Sequence, residues 1–230
     1  MAQAASLGSS PAGLTYALPL RFMTKSKKAA ALVRLLLACP VVTARAAHIR
    51  RDGASKASVE LAVMSMCPDA VVCEQAFAPV LKSMSDQVDL SLSYIGTRDE
   101  RGAPACMHGA GECEGNVQQL CAHRAAKGNV SMLMDFVLCQ GEDRKQIPAN
   151  GRPCAERAGL PLLAWEACSS GPQGSSLLLQ SMESAGRRNV RVSCTVFVNG
   201  EQFCQHNEEW VNCGSCGDDK AACLRAKLLR

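Results

Sequence analysis

The sequence predicts an α/β domain in which a β-α-β unit is followed by an inserted helical region and then by a closing β-hairpin with a helix. Three observations carry this expectation. The apolar run Val59–Met64 and the alternating segment Val88–Ile95 enclose a stretch of helical character. Asn199-Gly200 stands between two strand-like runs, a strong two-residue hairpin signal. The 14 cysteines in 230 residues, about 6 %, are more than a reducing compartment favours.

In chain order, residues 1–57 read as leader and linker and 58–230 as the domain. From Met23, an alternative start to Met1, the basic residues Lys25, Lys27, Lys28 and Arg34 precede the apolar run Leu35–Val42 and then Ala44-Arg45-Ala46. This is the pattern of a secretory signal peptide over 23–46, with an apolar run far short of the ~20 residues that span a bilayer. A mitochondrial-type leader is the alternative, since no Asp or Glu precedes Asp52. Cleavage after Ala46 removes Cys39 and leaves 13 cysteines. An odd number means that at least one thiol is free, shared with a partner or in a mixed disulfide.

Val59–Met64 is a strand. Pro68 and Asp69 suit a helix N-terminus, and the helix over Val71–Met84 should end or kink at Pro79. Val88–Ile95 is a half-buried strand, 96–111 a Gly/Pro-rich loop, and Glu112–Lys127 and Val130–Gln140 are helices parted by Gly128-Asn129. Gly141–Pro153 is loop, with shorter helices over Leu160–Ala167 and Ser175–Ala185. Strands over Val190–Val198 and Glu201–Gln205 flank the turn, and a helix over Lys220–Leu229 closes the chain. The layout is thioredoxin-like.

Charge excludes one large class of function. Residues 1–56 hold nine of the 25 basic residues and one of the 21 acidic ones, so the formal +4 of the chain becomes −4 for the remainder. No basic stripe suits a nucleic-acid backbone. Phosphate-loop, dinucleotide and H-E-x-x-H patterns are missing from the sequence, and no cofactor is called for. His123 and His206 stand alone and default to surface.

The most specific feature is Cys106-Met107-His108-Gly109-Ala110-Gly111-Glu112-Cys113-Glu114-Gly115-Asn116, followed by Cys121. Seven residues, Cys106, His108, Gly109, Glu112, Cys113, Asn116 and Cys121, match C-x-H-G-x-x-E-C-x-x-N-x-x-x-x-C in register. The stretch resembles the signature of the gamma-interferon-inducible lysosomal thiol reductase family, and the wider resemblance runs from about Val59 to Cys223. It implies a thioredoxin-like fold with a disulfide-rich helical insertion, disulfide-containing protein substrates, and a lysosomal, vacuolar or extracellular location. Read on their own, Cys106 and Cys113 could be crosslinked locally or to distant segments. Cys113 and Cys121, eight apart on a helix, lie about 12 Å from each other and need other partners. A zinc knuckle of Cys106, His108, Cys113 and Cys121 is disfavoured by an oxidising compartment, and the signature cysteines are expected to be structural.

The resemblance places the catalytic C-x-x-C at Cys67-Pro68-Asp69-Ala70, where the second cysteine is replaced by Ala70. Cys67 at a helix N-terminus is the expected nucleophile. Acid makes this harder, because at pH 5 an ordinary thiol is ionised in about three parts in ten thousand, and an Asp69 anion would oppose the thiolate. Cys73, six residues on and on another face of a continuous helix, is a secondary redox candidate. Counting back from Asn199-Gly200, the resemblance puts the position of a cis-proline facing the nucleophile at Cys194. Cys67 and Cys194 are therefore expected to form the redox pair. Cys213-Gly214-Ser215-Cys216 is the only true C-x-x-C, giving Cys213 and Cys216 as further redox candidates. With Cys204, His206 and Cys223 they also allow a disulfide-tied loop or a zinc site. Asn129-Val130-Ser131 is a candidate glycosylation sequon. The expected function is reduction of protein disulfides; the rival is a non-catalytic, cysteine-rich binding or structural domain on the same fold.

Overall fold

The computed structural model describes residues 55–230, so the leader over 23–46 lies outside the described residues. Strand β1 (Ala57–Val63) runs parallel to β2 (Val88–Tyr94) in the register Leu61 to Leu92. Helix α1 (Pro68–Ser83) joins them as the crossover. The sheet continues through β5 (Thr195–Val198), β6 (Glu201–Asn207) and β7 (Glu209–Val211), all antiparallel, in the order β2-β1-β5-β6-β7. β1 and β5 are central, and their buried residues Leu61, Val63, Val196 and Val198 form the core with Phe77, Leu81, Phe136 and Leu178.

Between β2 and β5 lies the insertion. It holds a two-stranded ribbon of β3 (Thr97–Arg98) and β4 (Pro104–Ala105), then α2 (Ala110–Ala126), α3 (Val130–Glu142), α4 (Gly151–Arg157), α5 (Leu162–Ser169) and α6 (Pro172–Arg187). Bonds Cys121–Cys168 and Cys139–Cys154 tie α2 to α5 and α3 to α4. Their Cα separations of 5.6 and 5.5 Å suit a disulfide. Helix α7 (Lys220–Leu228) packs on α1. No helix among the described residues is long and apolar enough to cross a membrane.

The structure departs from the sequence reading at four places. Helix α1 continues past Pro79 to Ser83, its last turns held by the buried Phe77, Val80 and Leu81 while Pro79 itself is exposed. The stretch expected as loop over 141–153 contains a 3₁₀ turn (Arg144–Gln146) and the start of α4, where Pro153 sits in the first turn that tolerates it. The Gly/Pro-rich stretch 96–111 carries β3 and β4. The strand after Val190 begins only at Thr195, although Cys194 extends its ladder to His206 by two backbone bonds of 3.2 and 3.0 Å. The hairpin itself is as expected: Asn199 and Gly200 both have positive φ, 51° and 79°, as a type I′ turn demands.

Candidate active site

Cys67 is the N-cap residue of α1, set by the tight turn in which its N–H donates to Met64 O at 2.9 Å. It is 6 % exposed and is the only free cysteine among the described residues. The positive end of the α1 dipole therefore lies at its backbone, where it favours negative charge developing on sulfur. Its Sγ lies 3.6 Å from Ser193 O and 4.0 Å from Asp69 Oδ2. Ser193 also fixes the entry of this loop, its hydroxyl accepting from Met64 N–H at 2.9 Å. Ala70, one turn into the helix, is buried and offers no second thiol.

Cys194 follows Ser193, whose carbonyl faces the Cys67 sulfur, yet its own sulfur is not paired with Cys67. It is bonded to Cys73, with a Cα separation of 6.2 Å, and both residues are fully buried. The Cys67–Cys194 pair is thus corrected: α1 turns Cys73 inward toward β5 and leaves Cys67 at the helix mouth. The C-terminal C-x-x-C is likewise not a redox pair here. Cys213 is bonded to Cys204 and Cys216 to Cys223, because the turn after β7 folds one cysteine onto β6 and the other onto α7.

The signature acts on the Cys67 loop from below. Gly109, at φ 89°, is the N-cap of α2 and takes a conformation that a side chain would strain. Cys106 and Cys113 are bonded to each other across this turn, closing it locally. The His108 ring pairs with the fully buried Glu112 carboxyl, which also accepts from the His108 N–H. Asn116, also fully buried, accepts from Ser65 N–H at 2.9 Å through Oδ1 and points Nδ2 at Cys106 Sγ, 3.6 Å away. Ser65 Oγ in turn donates to Glu112 O at 3.2 Å. The approach is close: a Cβ on Gly115 would lie 2.6 Å from Ser65 Oγ. From the 3₁₀ turn after α3, Arg144 donates to Met66 O at 3.1 Å. Residues 65 and 66, just before Cys67, are thus held by the signature helix and by Arg144.

Replacing Asn116 by Ala leaves the buried Ser65 N–H without its acceptor. It should cost about 1–3 kcal/mol of stability and slow alkylation of Cys67. Urea unfolding and a labelling time course check this; unchanged values would contradict the buttressing role.

The sequence reading missed His206. It is 7 % exposed, its Nδ1 lies 2.6 Å from Asp69 Oδ1, and its ring meets Trp210 edge-on with centroids 4.8 Å apart. The available signal was the alternation of β6, which puts His206 on the buried side with Cys204. His123 is half-buried, with Nε2 2.9 Å from Leu90 O. No group of His, Cys, Asp and Glu among the described residues is arranged to hold a metal ion.

Residues 58–158 match the profile described as gamma interferon inducible lysosomal thiol reductase. This stretch is a domain of that family. No curated protein matches it. Among solved structures, the chain is similar to oxidised DsbA of Mycobacterium tuberculosis, at 19 % identity and TM-score 0.52 over 77 % of this chain and 85 % of that one. Oxidised BdbD of Bacillus subtilis gives 14 % and 0.50 over 75 % and 85 %. The thiol-disulfide oxidoreductase MdbA of Corynebacterium diphtheriae gives 8 % and 0.50 over 79 % and 86 %. These likenesses establish the thioredoxin-like fold. The family match supports thiol–disulfide oxidoreductase chemistry.

Proposed function

We propose that this protein reduces protein disulfides in an endolysosomal or extracellular compartment, with Cys67 as a single nucleophile. The observation that carries the reading is the state of the cysteines: the free one stands at the helix mouth, while Cys73 and Cys194 behind it are bonded to each other. In the first step Cys67 sulfur bonds to one sulfur of the substrate disulfide, and the other sulfur leaves with the electron pair and a proton. A small-molecule thiol then attacks the Cys67 sulfur of the mixed disulfide and releases the second substrate thiol, and a second such molecule attacks the resulting disulfide, regenerating Cys67 and leaving as the oxidised small-molecule disulfide. The electrons come from these external thiols, since Ala70 cannot resolve the intermediate. A cleft of about 310 Å³ begins at Met64, three residues before Cys67, and runs along Ile95, Thr97, Cys106, Met107 and Arg191. Its mostly apolar rim suits an extended polypeptide.

Six disulfides among the described residues support folding in the secretory pathway, consistent with a leader cleaved after Ala46 and the domain over 58–230. Asn129 is exposed and caps α3 through Oδ1, which accepts from Met132 N–H at 3.0 Å. Its amide nitrogen is the proposed point of glycan attachment. The second reading, a non-catalytic domain, draws on Ala70 and on the low exposure of Cys67.

Alkylation of the native protein followed by peptide mapping separates them. We expect label on Cys67 alone within residues 55–230, and a mixed disulfide at the same residue when a disulfide-bonded protein is added. Label on Cys73 or Cys194, or a Cys67 that forms no mixed disulfide, would overturn the catalytic reading.

A further inference from the structure

Asp69 holds its two carboxylate oxygens in different surroundings. Oδ1 is fully engaged, accepting from Glu208 N–H at 2.8 Å and lying 2.6 Å from His206 Nδ1. Among the described hydrogen bonds, Oδ2 has one partner, the Cys67 sulfur at 4.0 Å. His206 is itself clamped: its backbone is bonded to Cys194 in both directions and its ring lies against Trp210, which also meets Phe77 edge-on at 5.5 Å. A carboxylate that only tied the β6–β7 turn to α1 would need one oxygen. Here the other faces the reacting atom.

We propose that Asp69 carries the proton of the exchange step and that His206 is its positioning residue; this rests on the reading of Cys67 as the nucleophile. As Cys67 sulfur attacks the substrate, its proton passes to Asp69 Oδ2. The substrate S–S bond breaks, the departing sulfur takes the bonding pair, and Asp69 returns the proton to it. No proton is gained or lost over the step, and Asp69 ends as the carboxylate it began as. The 4.0 Å separation is long for transfer, and such contacts commonly tighten in the substrate complex. A carboxylate oxygen facing the sulfur lets the thiol react where little thiolate exists, which is what an acidic compartment requires. The oxygen that would oppose a preformed thiolate thereby becomes the acceptor of the proton that the thiol must shed.

The charged and titratable groups facing this pair are few. Cys67 lies on the same turn, His206 comes from β6, and Arg144 reaches Met66 O from the 3₁₀ turn after α3. Glu208 contributes its backbone N–H. The other charged contacts of α1 lie at its far end, where Lys82 pairs with Asp135 of α3 and Arg225 of α7 donates to Ser83.

The test is the rate at which the full chain reacts with dithiodipyridine, a disulfide whose released thione is read by absorbance, from pH 4.5 to 8.5. Asp69→Asn should be about 10²-fold slower at pH 5. The deficit should shrink to within about threefold at pH 8.5, where thiolate forms without a base. Asp69→Glu should restore part of the acid rate, and His206→Gln should show a smaller loss of the same pH shape. Melting temperatures identify any variant that fails to fold, and the remaining two then decide. A loss equal at both ends of the profile makes Asp69 structural and overturns the inference, as does a variant faster at every pH. A wild-type Cys67 that reacts at no pH would instead overturn the nucleophile itself, and this inference with it.

Discussion

Cys67→Ser should lower disulfide exchange by about 10³-fold or more, because a hydroxyl with no strong base beside it is a far weaker nucleophile than a thiol. The loss should be nearly complete, since no second thiol stands in reserve: Ala70 is apolar, and Cys73 and Cys194 are bonded to each other. Folding should survive. The Cys67 sulfur makes only two long contacts, to Ser193 O and Asp69 Oδ2, and a serine hydroxyl can donate to either. A melting temperature within a few degrees of wild type, together with loss of mixed-disulfide trapping, is the expected pair of results. Wild-type exchange in this variant would move catalysis to another cysteine, with the Cys73–Cys194 bond the first to examine.

A second large effect belongs to Glu74, beside Cys73 in α1. It is 3 % exposed, its Oε1 has no hydrogen-bond partner, and burial pushes its carboxyl from the ordinary 4.5 up to about 8. Below pH 4.5 the folded and unfolded chains both hold this proton and its contribution to stability is complete. Between 4.5 and 8 the unfolded chain releases the proton while the folded one keeps it, so stability falls as pH rises and levels off above 8. At ~1.4 kcal/mol per pKa unit the loss is of the order of 5 kcal/mol. Urea unfolding across pH 4.5–8.5 should show this decline, and Glu74→Gln, neutral at every pH, should largely remove it. A decline of the same size in the variant would assign it to other groups. The sign matters for function: the contribution of Glu74 is fully present in acid, the condition of the proposed endolysosomal setting. The same buried site acts on Tyr94, whose phenol is held well above its ordinary range by burial and then by the Glu74 charge.

What was legible in the sequence was local. The apolar run of β1, Pro68 and Asp69 at the start of α1, the alternation of β2 and the Asn199-Gly200 turn each report a conformation set by neighbours a few residues away. Those elements stand close to where they were expected. The signature was legible because its residues recur at fixed spacing within one turn and the helix after it, whereas the contacts of Asn116 and Glu112 with Ser65 were not. The odd count of 13 rests on the expected removal of Cys39, which lies outside the described residues.

Pairing over long distances was not legible. Cys73 meets Cys194 across 121 residues and Asp69 meets His206 across 137. Both meetings depend on β5 and β6 joining the sheet beside β1, which no local pattern encodes. The spacing argument rightly kept Cys67 from Cys73 but could not say which of them faced Cys194, because that is decided by the rotation of α1 against the sheet. Burial of Phe77, Val80 and Leu81 sets that rotation, turns Cys73 inward and leaves Cys67 at the helix mouth. Sequence alone therefore carried the family signature, the fold and, for a chain cleaved after Ala46, an odd number of cysteines. Tertiary packing determined which thiol is free among the described residues and which acid and imidazole stand beside it, because side chains remote in the chain share a site only after the sheet has assembled.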